Sequence, residues 1–110
     1  MPKVSIIIVS FNVRSYLVGA IDSIYKSNYP NFEIIIVDNN SYDNTVDIMS
    51  DKYPKVNIIS NDKNVGFGKA VNQGAKIASG DCFLILNPDT IVEEDMISDL
   101  IEYIESNKKI

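Results

Sequence analysis

The stretch Val4-Ser5-Ile6-Ile7-Ile8-Val9-Ser10-Phe11-Asn12 decides the fold of this chain. Its first six residues are nearly all β-branched and show no alternation of polar and apolar positions. That is the pattern of a strand buried on both faces, which belongs to a parallel sheet covered by helices. A polar cluster follows at once. In open sheets of this kind ligands bind just outside the carboxyl ends of the strands.

Working outward, strand and helix patterns alternate. Residues from about Arg14 to Ser27 place Leu17, Ala20, Ile21 and Ile24 at helical spacing, and Pro30 blocks continuation. Phe32 to Val37 is a second buried strand. Asp43 to about Tyr53 is a short helix with Val46 and Met49 on one side, closed by Pro54. Val56 to Ile59 is a weaker third strand. From Phe67 to Ala78, the residues Ala70, Val71, Gly74, Ala75 and Ala78 form a small-residue face suited to close approach on a sheet. Cys82 to Leu86 is the fourth strand. Glu93 to about Ser106 is the fourth helix, with Ile97, Leu100, Ile101 and Ile104 expected to face inward. This order predicts right-handed βαβ units: an α/β fold with an open, doubly wound parallel sheet, helices on its faces and strand order 3-2-1-4.

Composition narrows the chemistry. The 110 residues suit one domain, and the net charge of -5 is opposite to the basic surplus of nucleic-acid binders, so no nucleic-acid partner is expected. The chain has no histidine, which excludes Ser-His-Asp and Cys-His catalysis and histidine metal ligands within it. One cysteine gives neither a disulfide nor a zinc cluster, so a metal here is held mainly by oxygen. Cys82 itself reads as a small core residue. No signal peptide or membrane-length apolar run is visible, so a cytoplasmic setting is expected. The second half, residues 56–110, holds nine of the fifteen acids. Much of that excess, Glu93 to Glu105, reads as a solvated helix face.

The four strands are followed by Ser10-Phe11-Asn12, Asp38-Asn39-Asn40-Ser41, Asn61-Asp62 with Asn64, and Asn87-Pro88-Asp89-Thr90. Each cluster alone is turn and cap chemistry; four on one edge of a sheet point to a site. The first turn lacks the G-x-G-x-x-G of a dinucleotide fold, and Gly68-Lys69 lacks the upstream glycine of a P-loop.

These same segments carry a resemblance. Val4 to Asn12, Ile35 to Asp43 (IIVDNNSYD), Asn64 to Gly74 (NVGFGKAVNQG) and Leu84 to Asp89 (LILNPD) resemble, in order and spacing, the nucleotide-binding half of a family-2 glycosyltransferase of GT-A fold. The likeness runs through nearly the whole chain. Asn-Val-Gly-Phe-Gly and Leu-Asn-Pro-Asp are most similar to the branch that includes rhamnosyltransferases.

The resemblance implies transfer of a sugar from a nucleoside-diphosphate donor of UDP, dTDP or GDP type to a glycan or lipid acceptor hydroxyl, with inversion. It implies a divalent cation, magnesium or manganese, on the diphosphate. Asp89 matches the last aspartate of the family's Asp-x-Asp motif and would contact that metal. Asn87 replaces the first aspartate and could still bond ribose. Asp38 matches the base-reading aspartate: uracil, thymine and guanine present a ring N–H that a carboxylate accepts. Ser10 and Asn12 would lie beside base and ribose, with Asn40 in the adjoining cluster. Gly66 lets backbone approach the nucleotide. Lys69 reads equally as a phosphate contact or a solvated lysine. The bland readings are an Asx turn for Asp38 and a helix cap for Asp89. Residues 1–110 would then be the donor-binding half of a longer domain, truncated at its C-terminus and prone to self-association. The general base is unknown, expected beyond residue 110, and membrane-face attachment would come from the same missing part. A non-catalytic nucleotide-binding module and a receiver-like signalling domain are the alternatives, the latter weakened by Asn12 where early acids are required.

Overall fold

A computed structural model describes residues 1–107. Lys108, Lys109 and Ile110 lie outside the described residues. The elements are β1 (Val4–Ser10), α1 (Arg14–Lys26), β2 (Phe32–Asp38), α2 (Thr45–Lys52), β3 (Asn57–Ser60), α3 (Phe67–Ile77), β4 (Cys82–Leu86) and α4 (Met96–Ser106). All strand pairings are parallel and the order is β3-β2-β1-β4, as the alternation predicts.

The two central strands are apolar on both faces because both faces are covered. On one side Ile6, Ile8, Ile34 and Ile36 pack with Leu17, Ile21 and Ile24 of α1, Met49 of α2, and Ile97 and Ile101 of α4. On the other, Ile7, Ile35 and Val37 meet α3 through Ala70. Gly74 permits that approach: a Cβ built there would stand 2.8 Å from Ile7 Cγ2. The small-residue face is thus a packing device.

Three local expectations shift. On α2, Thr45 joins Met49 as the buried pair, and Val46 is only half-buried. Helix α4 starts at Met96 rather than Glu93; the segment before it is held against the end of α1, where the Asn28 N–H donates to the Glu94 carbonyl at 3.0 Å. Leu100 and Ile104 do not face inward; they are 43% and 47% exposed. Helix α4 lies at the outer side of β4, so only its Ile97–Ile101 stripe reaches the core. The other two residues line a shallow apolar groove with Val4 and Leu84. On the opposite face α3 covers β1 and β2, leaving Phe83 and Ile85 of β4 exposed. The acids from Glu93 to Glu105 are solvated, as their spacing implies.

Candidate functional site

Strands β1 and β2 run one residue further than their apolar patterns, to Ser10 and Asp38, which are cross-strand partners. Both are buried. Ser10 Oγ donates to Asp38 Oδ1 at 2.8 Å. The chain then turns so that Ser41 adds two more donors, Oγ to Oδ1 at 2.6 Å and N–H to Oδ2 at 2.8 Å. A carboxylate offers about four lone-pair sites; these three bonds leave one, on Oδ2. The Asp38 carboxylate therefore knots the ends of two strands together as an Asx turn, and it is 1% exposed.

Around it the backbone is unusual. Asn12, Asn40 and Asn44 have φ of 52°, 66° and 62°, a left-handed region that asparagine enters more readily than other side-chain-bearing residues. Asn12 fastens the first turn to the second: its N–H donates to Ser41 Oγ at 2.9 Å, and its Oδ1 accepts the Tyr42 N–H at 2.9 Å. Asn40 is exposed. Such conformations cluster where function requires a fixed shape.

Asp43 completes this corner. Its Oδ2 accepts the Arg14 N–H that opens α1, and its Oδ1 accepts the N–H and hydroxyl of Thr45 that open α2. One carboxylate so serves two helix starts, neither of which has a cap from its own preceding residue. Burial pushes its pKa up, but the hydrogen bonds from Thr45 and Arg14 outweigh this and hold it below the ordinary aspartate value.

Beyond β3, Asn61 N–H donates to the Asp38 carbonyl, and Gly66 opens α3 at φ 88°, a conformation that calls for glycine. Lys69 is exposed on the first turn of α3. Beyond β4 the chain makes a turn closed by the Thr90 N–H to the Asn87 carbonyl at 3.0 Å, with Asn87 and Asp89 exposed. Asp89 caps no helix: the residue before α4 is Asp95. Among the described residues no three metal-ligating side chains gather. Magnesium is often held by one or two carboxylates together with substrate phosphates. Asp89 therefore fits a cation only in company with a diphosphate.

The register sets Ser10, Asp38 and Ser60 in one row, with Leu86 beside Ile8 so that the Asn87–Asp89 turn leaves the same edge. The sequence-identified residues thus share the carboxyl edge of the sheet. Sequence reasoning missed the role of Asp43 and an aromatic pair above the first two turns. Phe11 and Tyr42 meet edge to face at 6.1 Å and 86°, 44% and 84% exposed. Two exposed aromatics beside a polar cluster were a signal available in the sequence, since bases stack on such rings.

A family model described as "Glycosyl transferase family 2" matches residues 5–110. An uncharacterized glycosyltransferase of Haemophilus influenzae is 33% identical over 112 residues, which is 99% of this chain and 35% of that protein. The chain spans about a third of the length of the curated relatives it matches. Among solved structures, S. aureus TarS residues 1–349 in complex with UDP-GlcNAc superposes with a TM-score of 0.86 at 27% identity, covering 96% of this chain and 32% of that one. A mannosyltransferase, PcManGT from Pyrobaculum calidifontis in complex with GDP-Man and Mn2+, has a TM-score of 0.84 at 22% identity, covering 94% of this chain and 32% of that one; it shows the shared fold. No helix among the described residues is long and apolar enough to cross a membrane.

Proposed function

Because the chain belongs to glycosyl transferase family 2, we propose that residues 1–110 form the donor-binding half of an enzyme that moves a sugar from a nucleoside diphosphate to an acceptor hydroxyl with inversion. The observation that carries this reading is the carboxyl edge itself: a carboxylate knot, exposed aromatics and an exposed Asn-Pro-Asp turn, all leaving one end of one parallel sheet.

In this reading the base stacks on Phe11, and its ring N–H bonds to the remaining lone-pair site of Asp38. Asn12 and Asn40 lie along base and ribose, the buried Ser10 acts from behind through its bond to Asp38, Asn87 bonds ribose, and Gly66 and Lys69 face the diphosphate. Asp89 would hold a magnesium or manganese ion in company with the diphosphate, and that ion would supply charge neutralisation as the diphosphate departs. The general base belongs to the acceptor half, outside these residues, and must come within about 3 Å of the acceptor proton. The donor is of UDP, dTDP or GDP type, and the Asn-Val-Gly-Phe-Gly and Leu-Asn-Pro-Asp segments favour a rhamnosyltransferase-like donor. The acceptor is a glycan or lipid met at the cytoplasmic side of a membrane. Exposed Phe83 and Ile85 support self-association of the chain when it stands alone.

Calorimetry with UDP, dTDP, GDP, ADP and CDP, with and without manganese, tests this reading. Binding confined to nucleotides whose base carries a ring N–H, strengthened by manganese, is expected. Equal affinity for all five refutes the role given to Asp38, and no binding by any of them refutes the donor site.

A further inference from the structure

Three side-chain amides join the ends of β2 and β3 to the middle of α3. Asn39, 3% exposed, accepts the Asn61 Nδ2–H at 3.1 Å and the Val65 N–H at 3.4 Å on its Oδ1, and donates from its Nδ2 to the Gly66 carbonyl at 3.3 Å. Asn61 and Gln73 bond reciprocally, at 2.8 Å and 3.0 Å. The Asn39 N–H also donates to the Ser10 carbonyl at 2.9 Å. The network therefore runs unbroken from the Ser10–Asp38 row, through Asn39, to the Val65–Gly66 turn and to Gln73 on α3.

We infer that Asn39, Asn61 and Gln73 form an amide clasp that positions the Val65–Gly66 turn and the start of α3 for donor binding, a role that rests on the donor-site reading above. The turn needs holding. Gly66 sits at φ 88° with nothing within 4 Å of where a Cβ would stand, so it has no side-chain anchor of its own, and the packing of this turn is confined to Val65 against the Ile7, Ile35, Val37 and Ala70 cluster. At Gly66 itself three polar bonds hold the backbone: the Asn39 clamp, the Gly66 N–H to Asn64 Oδ1 at 2.9 Å, and the Ala70 N–H to the Gly66 carbonyl at 3.2 Å. Only the first of these reaches the strand ends. Amides suit the task because each supplies both a donor and an acceptor, so the half-buried Asn61–Gln73 pair closes reciprocally. They also bring no charge to an edge that must accept a diphosphate.

Asn39, Asn61 and Gln73 are positioning residues in this account, and the variants leave Asn39 intact. Asn61→Ala removes the centre of the clasp. Gln73→Met keeps length on α3 and removes the reciprocal bonds. Each is compared with Ile101→Val, which loosens the core on the opposite face of the sheet. The probes are UDP, dTDP and GDP by calorimetry, thermal melting, and hydrogen exchange at the Val65 amide, whose own partner, Asn39, none of these substitutions removes.

The expected result is about tenfold weaker binding of the nucleotide that the wild type prefers, and Val65 exchange about tenfold faster, in both clasp variants. Ile101→Val lowers the melting temperature but leaves affinity and Val65 exchange unchanged. The double variant Asn61→Ala with Gln73→Met should lose no more than the worse single one, since both break one unit. Unchanged affinity in the clasp variants, with the wild type binding, overturns the clasp and leaves the donor site standing. A loss that Ile101→Val reproduces at equal melting temperature reduces the network to general stability and also overturns it. A wild-type chain that binds none of the three nucleotides overturns the donor site, and the positioning role with it.

Discussion

Asp38→Ala should destabilise the chain by about 2–4 kcal/mol. The carboxylate accepts three hydrogen bonds, from Ser10 Oγ, Ser41 Oγ and the Ser41 N–H. A bond to a charged group contributes about 1.5–3 kcal/mol, and a buried donor left unpaired carries its full desolvation cost. The three share one acceptor, so their losses do not add. The Ser41 groups are half-buried and can reach water, while Ser10 is fully buried and cannot. The estimate is therefore above one bond and below three. At about 4–8 °C per kcal/mol for a domain near this size, the melting temperature should fall by about 8–32 °C. Asp38→Asn should cost less, about 1–2 kcal/mol. Its amide oxygen can take the Ser41 N–H, and its NH2 can donate to the two hydroxyls once they turn. Urea unfolding followed by circular dichroism at neutral pH measures both variants. If the alanine variant lies within about 0.5 kcal/mol of wild type, a typical neutral surface change, or if the asparagine variant is the less stable of the two, the carboxylate is not the acceptor that ties these strand ends.

Three further outcomes are expected. Asp89→Asn should leave the fold intact, since the residue is exposed and caps no helix, and should abolish the gain that manganese gives to nucleotide binding; wild-type manganese dependence in calorimetry would remove Asp89 from the metal. Stability should fall as pH drops below about 4.5, the ordinary glutamate value. Burial raises the Glu33 pKa, but bonds from Ser5 and Ser79 and the nearby Lys3 charge outweigh this and hold it lower. A depressed carboxylate stabilises the fold above its unfolded pKa and loses that contribution as it protonates. Glu33→Gln should flatten this acid limb in urea titrations, and an unchanged limb would place the effect elsewhere. Finally, residues 1–110 should bind donor without acceptor-dependent transfer in a radiolabelled-donor assay, and should self-associate with concentration in light scattering, less so in Phe83→Lys; robust transfer would put the general base inside this chain.

The sequence by itself determined the element order, the parallel sheet and its 3-2-1-4 arrangement. Those follow from patterns carried within single segments: unbroken β-branched runs such as Val4–Val9 and Phe32–Val37, helical spacing such as Leu17–Ile21–Ile24, and the handedness of βαβ connections. It also brought Ser10, Asp38, Gly66 and Asp89 to one edge, because in a parallel sheet every residue just after a strand leaves by the same side. What only the tertiary structure decided is who bonds to whom across that edge, and which apolar stripes find cover. Asp43 capping two helices, and Asn39 meeting Asn61 and Gln73, depend on the register and spacing of strands that no local pattern encodes. Leu100 and Ile104 have the same helical spacing as Ile97 and Ile101 yet stand half in solvent. Periodicity assigns a residue to a face of its helix; whether that face meets the core depends on where the helix lies on the sheet, and α4 lies at its outer edge.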